Sequence, residues 1–185
     1  MKYRVVYCTG TFDHLHDGHR EYLITGFENG EKVVIGLASD DLLLSKNKAF
    51  PKEHQDFRER YQILYEFLQE NFPERFEIVT VEELPGPGLV EKNPEKYREH
   101  VHLRTDIEAF VNCKKTVNSG RQLNRRRKEA NLPPLPEIMS PSLNKDSSTD
   151  IREKTALKKW GPNHPYFLEQ QGRKKESVSI WDRKK

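Results

Sequence analysis

Tyr3 to Ser39 reads YRVVYCTGTFDHLHDGHREYLITGFENGEKVVIGLAS, and the fold is built outward from this stretch. Tyr3 to Thr9 is a short β-rich run that stops at Gly10, and Lys32 to Ser39 is a second, nearly continuous apolar run. Strands covered on both faces lose the strict alternation of half-exposed ones, so both runs read as buried parallel strands. Between them, Gly18 to Phe27 carries Tyr22, Leu23 and Phe27 at the spacing of one helix face. Strand, helix and strand make a βαβ unit.

The same alternation continues downstream. From Asp56 to Asn71, Phe57, Tyr61, Leu64, Tyr65 and Leu68 fall on one face of an amphipathic helix. Phe76 to Val81 and Ile107 to Cys113 are the next strands. Thr116 to Ala130 is a polar, strongly basic helix, ended by Leu132-Pro133-Pro134-Leu135 because proline lacks an N–H and restricts the residue before it. Ile138 and Met139 begin a last short strand. The expected fold is α/β and Rossmann-like, an open, mostly parallel sheet with helices on both faces. Such a sheet binds ligands at the carboxyl ends of its strands, where the strand order reverses.

The polar loop from Glu82 to Thr105 is long enough to be a lid or a mobile insertion. After Lys154 periodicity is lost, and Trp160, Tyr166, Phe167 and Trp181 are scattered among Gly, Pro, Gln and charges. Residues 1–154 are therefore expected to form one domain. Residues 155–185 form a basic tail, docked through a few aromatic anchors or disordered.

Composition narrows the class. Of 185 residues 34% are hydrophobic and 33% charged, against about 25% charged in an average soluble domain. The sequence has no window of about 18 apolar residues and no apolar run before its first charges, which argues against a membrane span or secretory signal and for a cytoplasmic protein. Cys8 and Cys113 are the only cysteines, too few for a disulfide framework or a zinc cage. The net charge of +3 sums two unlike regions: residues 152–185 hold ten Lys/Arg against four acids, a local +6, which leaves −3 for everything before. A mildly acidic body does not suit a dedicated nucleic-acid domain, and the run Arg125 to Lys128 reads as a solvated helix face. Neither membrane nor nucleic acid is expected as a partner.

The chemistry lies in Thr9 to His19, TGTFDHLHDGH. A glycine-flanked loop entering a helix presents backbone N–H groups and the positive end of the helix dipole, which together suit a phosphate. His16 and His19, on either side of Gly18, add ring donors to the same oxygens. With 7 His and 10 Gly in the chain, H-x-G-H is expected by chance in only about 0.014 copies.

The stretch resembles the HxGH-type nucleotidyltransferases, whose pattern GTFDxxHxGH is matched by Gly10, Thr11, Phe12, Asp13, His16, Gly18 and His19. HLHDGH in particular looks like the archaeal and eukaryotic type of phosphopantetheine adenylyltransferase, an enzyme family of coenzyme A synthesis. Val34 to Asp41 (VIGLASDD) resembles that family's second strand with its trailing acids, and Phe57 to Arg60 its following helix start. Asn124 to Leu135 resembles its N-x-x-R…GLPPL segment, and Ser147 to Arg152 (SSTDIR) its closing motif. The likeness covers about residues 3 to 154.

That resemblance implies transfer of AMP from ATP to 4′-phosphopantetheine with release of pyrophosphate, with Mg2+ on the triphosphate. It places His19 and Thr11 on the α-phosphate and His16 with the Ser147-Ser148-Thr149 turn on the departing pyrophosphate. Gly10, Phe12, Asp13 and Gly18 complete the nucleotide cradle. Lys46 reaches the reacting phosphates, with Lys48 second, and Lys48 and Arg127 attend the acceptor. Ser147, Ser148 and Thr149 are all suitable N-caps for a helix beginning near Asp150, with Arg152 facing the β- and γ-phosphates as a planar fork of donors. No protein-held metal is expected. Two departures stand out: Asn131 occupies a family glycine, and Lys114-Lys115 replace two acids beside the presumed nucleotide pocket, which is expected to bear on nucleotide preference. The related alternatives are cytidylyl transfer to a headgroup phosphate, whose usual R-T-E-G-x-S-T-T ending is absent, and a diverged nucleotide- or RNA-binding protein.

Overall fold

The computed structural model describes residues 2–45, 48–82, 100–113, 117–141 and 147–182. Five parallel strands form one sheet: β1 (Tyr3–Gly10), β2 (Gly30–Ala38), β3 (Phe76–Val81), β4 (Ala109–Asn112) and β5 (Glu137–Met139), in the order β3-β2-β1-β4-β5. Register follows from pairs such as Cys8 with Ile35, Ile35 with Ile78, Val6 with Ala109 and Val111 with Ile138. The order runs outward from β1 in both directions, so it reverses between β1 and β4. This is the switch point where open α/β sheets bind ligands.

Both apolar runs feed two cores, as continuous hydrophobicity requires. Val6, Cys8, Val33 and Ile35 meet Leu23 and Phe27 of α1 (Asp17–Asn29) and Leu64 and Leu68 of α3 (Phe57–Asn71) on one face. Tyr7, Val34 and Phe110 meet Leu123 of α4 (Val117–Glu129) and Val101 on the other. Gly26 of α1 lets helix and strand approach, since a Cβ there would lie 2.8 Å from Cys8 Sγ. Asp56 caps α3 in a reciprocal box with Glu59, which is why the amphipathic pattern starts at Phe57.

Among the described residues, no helix is long and apolar enough to cross a membrane. The short α2 (Asp40–Leu44), capped by Ser39, and two 3-10 turns at Pro51–Glu53 and Val101–Leu103 carry too few residues to leave a periodic signature in the sequence. Of the expected lid, residues 83–99 lie outside those described. Past Lys154 most of the described residues are helical: α5 (Ser148–Trp160) runs across the expected domain boundary, and α6 (Pro165–Asp182) follows it. Trp160, Tyr166 and Phe167 pack with Ala49, Phe50 and Ala156 in a third apolar cluster.

Candidate active site

Pairing between β1 and β4 stops at Tyr7 with Phe110, and beyond it the gap is bridged by one hydroxyl. Tyr22 Oη accepts from the Thr9 N–H at 3.2 Å and donates to the Val111 carbonyl at 2.8 Å. The strands are thus held apart at their carboxyl ends. Here α1 begins, its first amide N–H groups directed out of the helix. His16 is its N-cap, and its Nδ1 accepts from the His19 N–H at 3.4 Å, so the neutral ring carries its proton on Nε2. The His16 ring stacks on His19 with centroids 3.8 Å apart and planes 19° apart. Gly18 makes room for this, because a Cβ there would come within 3.1 Å of the His16 ring.

The loop before α1 bends sharply. Phe12 and His14 both adopt left-handed backbone angles, φ 47° and 48°, which cost a non-glycine residue about 1–2 kcal/mol each. Asp13 between them holds the bend. Its fully buried carboxylate accepts from His54 Nδ1 and the Gln55 N–H, both at 3.0 Å, and pairs with the equally buried Arg152. Burial pushes this carboxyl up, but the bonds from His54 and Gln55 and the Arg152 charge outweigh it and hold Asp13 well below the usual carboxylate range. Gln55 answers through its side chain, accepting from the His14 N–H at 2.6 Å, and His14 Nε2 donates to the Glu53 carbonyl at 2.8 Å.

Two of the expected site residues, Asp13 and Arg152, are paired with each other inside the protein. Arg152 Nε donates to the Ala49 carbonyl at 3.2 Å and Nη2 to Thr149 Oγ1 at 3.0 Å, so its fork is engaged by protein groups. A buried carboxylate demands such a partner. Phe12 is buried as well and sets its ring edge-on to His19 at 5.4 Å, and a Cβ at Gly10 would lie 3.3 Å from that ring. What the Asp13–Arg152 pair does achieve is to join the two motifs directly across 139 positions of sequence.

The second motif also starts earlier than expected, at Ser148. Ser147 is the N-cap of α5, and its Oγ and N–H both donate to Asp150 Oδ2, at 2.7 and 2.8 Å. Burial pushes the Asp150 carboxyl up, and its bonds with Lys174 and Ser147 reverse this and hold it below its usual range. Thr11 is buried, its carbonyl accepting from Arg60 Nη1 at 2.8 Å. Arg60 also donates to the Ala38 and Gln55 carbonyls and to Asp40, lacing the ends of β1 and β2 to the loop before α3. Sequence reasoning singled out neither Arg60 nor His54 nor Gln55 as site residues. The FRER stretch signalled Arg60; the polar segment with His54 and Gln55 carried no pattern.

Arg127, a residue expected to attend the acceptor, is also engaged by protein groups. It is 2% exposed and donates to the carbonyls of Pro133, His102 and Arg104, so it ties down backbone on the α4 face of the sheet. Asn124 does the same for the proline segment, bonding the Leu135 N–H and carbonyl at 2.8 and 3.1 Å. Asn131 sits at φ 57°, where asparagine is among the few residues that stand in for glycine. Lys48 is half-buried on the loop before Phe50. Lys46, Lys114 and Lys115 lie outside the described residues. No described group of three His, Cys, Asp or Glu side chains could hold a metal ion.

Residues 7–154 match the cytidylyltransferase-like family model. The phosphopantetheine adenylyltransferase of Pyrococcus abyssi is 34% identical over 141 residues, which are 76% of this chain and 80% of that protein. The chain belongs to this family. The enzyme of the same name from Thermococcus kodakarensis is 31% identical, over 76% of each chain. Solved structures agree on the fold. A protein of unknown function from Archaeoglobus fulgidus superposes with TM-score 0.57 at 18% identity, over 78% of this chain and 93% of that one. A bifunctional NMN adenylyltransferase/ADP ribose pyrophosphatase from Francisella tularensis does so with TM-score 0.55 at 16% identity, over 98% of this chain and 56% of that one. As a family member, the chain carries HxGH on the helix that opens at the sheet's switch point.

Proposed function

We propose that this chain transfers the adenylyl group of ATP to 4′-phosphopantetheine, giving dephospho-coenzyme A and pyrophosphate. The observation that carries the reading is the stacked His16–His19 pair on the N-terminus of α1, at the opening between β1 and β4. The names of the relatives supply the acceptor. A phosphate oxygen of the acceptor attacks the α-phosphorus in line. One P–O bond forms as the bond from that phosphorus to the bridging oxygen breaks, and the electron pair leaves with pyrophosphate. No covalent enzyme intermediate is needed, so catalysis rests on positioning and on neutralising charge.

In this reading His19 and the Thr11 backbone meet the α-phosphate as charge builds, and the Nε2–H of His16 meets the departing pyrophosphate. The backbone N–H groups of Ser148 and Thr149, at the first turn of α5, face the same anion. Lys46 bridges the two substrates, with Lys48 beside it. Gly10, Phe12, Asp13, Gly18 and Arg152 complete the nucleotide cradle and hold these donors in register. A magnesium ion would ride on the triphosphate, held by phosphate oxygens and water.

The test is pyrophosphate release from ATP, and from CTP in parallel, with 4′-phosphopantetheine as acceptor. His19→Ala is expected to lower turnover by about 10² to 10³-fold, the usual cost of removing one positioned donor. Near-normal release in that variant would overturn the assignment, and preference for CTP would overturn the choice of nucleotide.

A further inference from the structure

Helix α6 lies wholly beyond the family match, which ends at residue 154. It nevertheless touches both segments that carry the site. Gln170 is 2% exposed, and its Oε1 accepts from the Phe50 N–H at 3.1 Å. Phe50 is itself fully buried with a left-handed backbone, φ 58°, at the point where the loop carrying Lys48 turns into the Pro51–Glu53 segment. A strained residue of this kind persists only when its surroundings over-determine it. Three residues on, the Glu53 carboxylate, 7% exposed, is gripped from the C-terminal side by Trp160 Nε1 at 2.9 Å and Tyr166 Oη at 2.6 Å. The Glu53 carbonyl holds His14, and His54 and Gln55 hold Asp13. A chain of contacts therefore runs from α6 to the loop that bears the histidine pair.

At the other motif, Lys174 Nζ donates to Asp150 at 2.7 Å and Glu153 at 2.5 Å. These two acids stand in the first turns of α5, where an unneutralised carboxylate would repel phosphate. Gln171 adds a bond to Glu153 at 3.2 Å. One helix face thus bears on the His14 loop through Tyr166 and Gln170, and on the Ser147 turn through Gln171 and Lys174.

We propose that α6 is a positioning element of the nucleotidyl-transfer site, with Gln170 setting the loop from Lys48 to Gln55 and Lys174 neutralising the phosphate-facing turn of α5. This rests on the adenylyl-transfer reading. Full-length Gln170→Leu removes the acceptor for Phe50 and is expected to lower kcat about tenfold or more, since small misplacements at a reacting centre are costly. Gln170→Glu keeps an acceptor oxygen and is expected to restore most of that loss. Lys174→Met is expected to raise KM for ATP several-fold with little change in kcat, and Lys174→Arg to reverse it. All four are assayed at a temperature where circular dichroism shows them folded. If Gln170→Leu does not fold, Tyr166→Phe, which deletes only one hydroxyl, replaces it with the same expected fall in kcat. Wild-type kinetics in folded Gln170→Leu (or its replacement) and Lys174→Met would overturn this inference alone. A wild-type chain without turnover would overturn the adenylyl-transfer reading and this inference with it.

Discussion

Asp13 concentrates the site's energetics in a single carboxylate. Its pair with Arg152 is dry on both sides, and each partner is compensated by further bonds, the condition under which a buried ion pair is tolerated. Removing one partner leaves the other charge uncompensated. Asp13→Asn keeps the shape but turns an NH2 toward groups that already donate, so we expect a loss of about 3–5 kcal/mol in urea unfolding. A change below about 1 kcal/mol would show that the pair does not hold the loop. The residues of the HxGH pattern thus divide in two. Phe12 and Asp13 act inward as packing and electrostatics, while His16 and His19 sit at the mouth of the switch point. A pattern of letters cannot separate these, because side-chain direction depends on the left-handed bends at Phe12 and His14.

Element ends, more than element middles, make the site. The N-terminus of α1 is capped by His16, which serves the helix and the histidine stack together. Replacing a helical glycine by alanine ordinarily stabilises a protein by about 0.4–1 kcal/mol. At Gly18 the added methyl would meet the His16 ring at 3.1 Å. Gly18→Ala is therefore expected to cut turnover while leaving the melting temperature level or higher, a combination that global destabilisation does not produce. Full activity would sink the link between the glycine and the ring's position.

For the molecule as a whole, the acid side of the stability curve divides into two windows. His102 is 3% exposed and bonded to Tyr7, and burial followed by the charges of His100, Arg126 and Arg127 pushes its imidazole well below the usual range. The unfolded chain binds this proton near pH 6.5 and the folded chain only well below it. Stability is therefore expected to fall as pH drops below about 6.5, with His102 contributing up to about 1.4 kcal/mol per pH unit. The stabilisation from the depressed Asp13 and Asp150 carboxyls is present above about pH 4 and is lost only as pH falls through their lower folded values. Urea midpoints at pH 7, 6 and 5 should show a shallower slope in His102→Gln than in wild type. Equal slopes would mean that His102 does not stay neutral in the folded chain.

The sequence by itself determined the alternating elements, the parallel sheet and the turn from β1 into α1. These follow from local periodicity, glycine and proline chemistry and a motif confined to eleven residues. The left-handed Asn131 belongs to the same local order, marked in the sequence as a departure from glycine. Tertiary structure decided which motif residues face inward. Arg152 meets Asp13 only because α5 packs beside the loop after β1, and Arg127 spends its donors on carbonyls that the sheet brings to α4. Tertiary structure also packed the tail against the segment from Phe50 to Glu53. Trp160, Tyr166 and Gln170 show no period that betrays a partner, since their contacts lie more than a hundred positions away and their geometry exists only once the chain has closed.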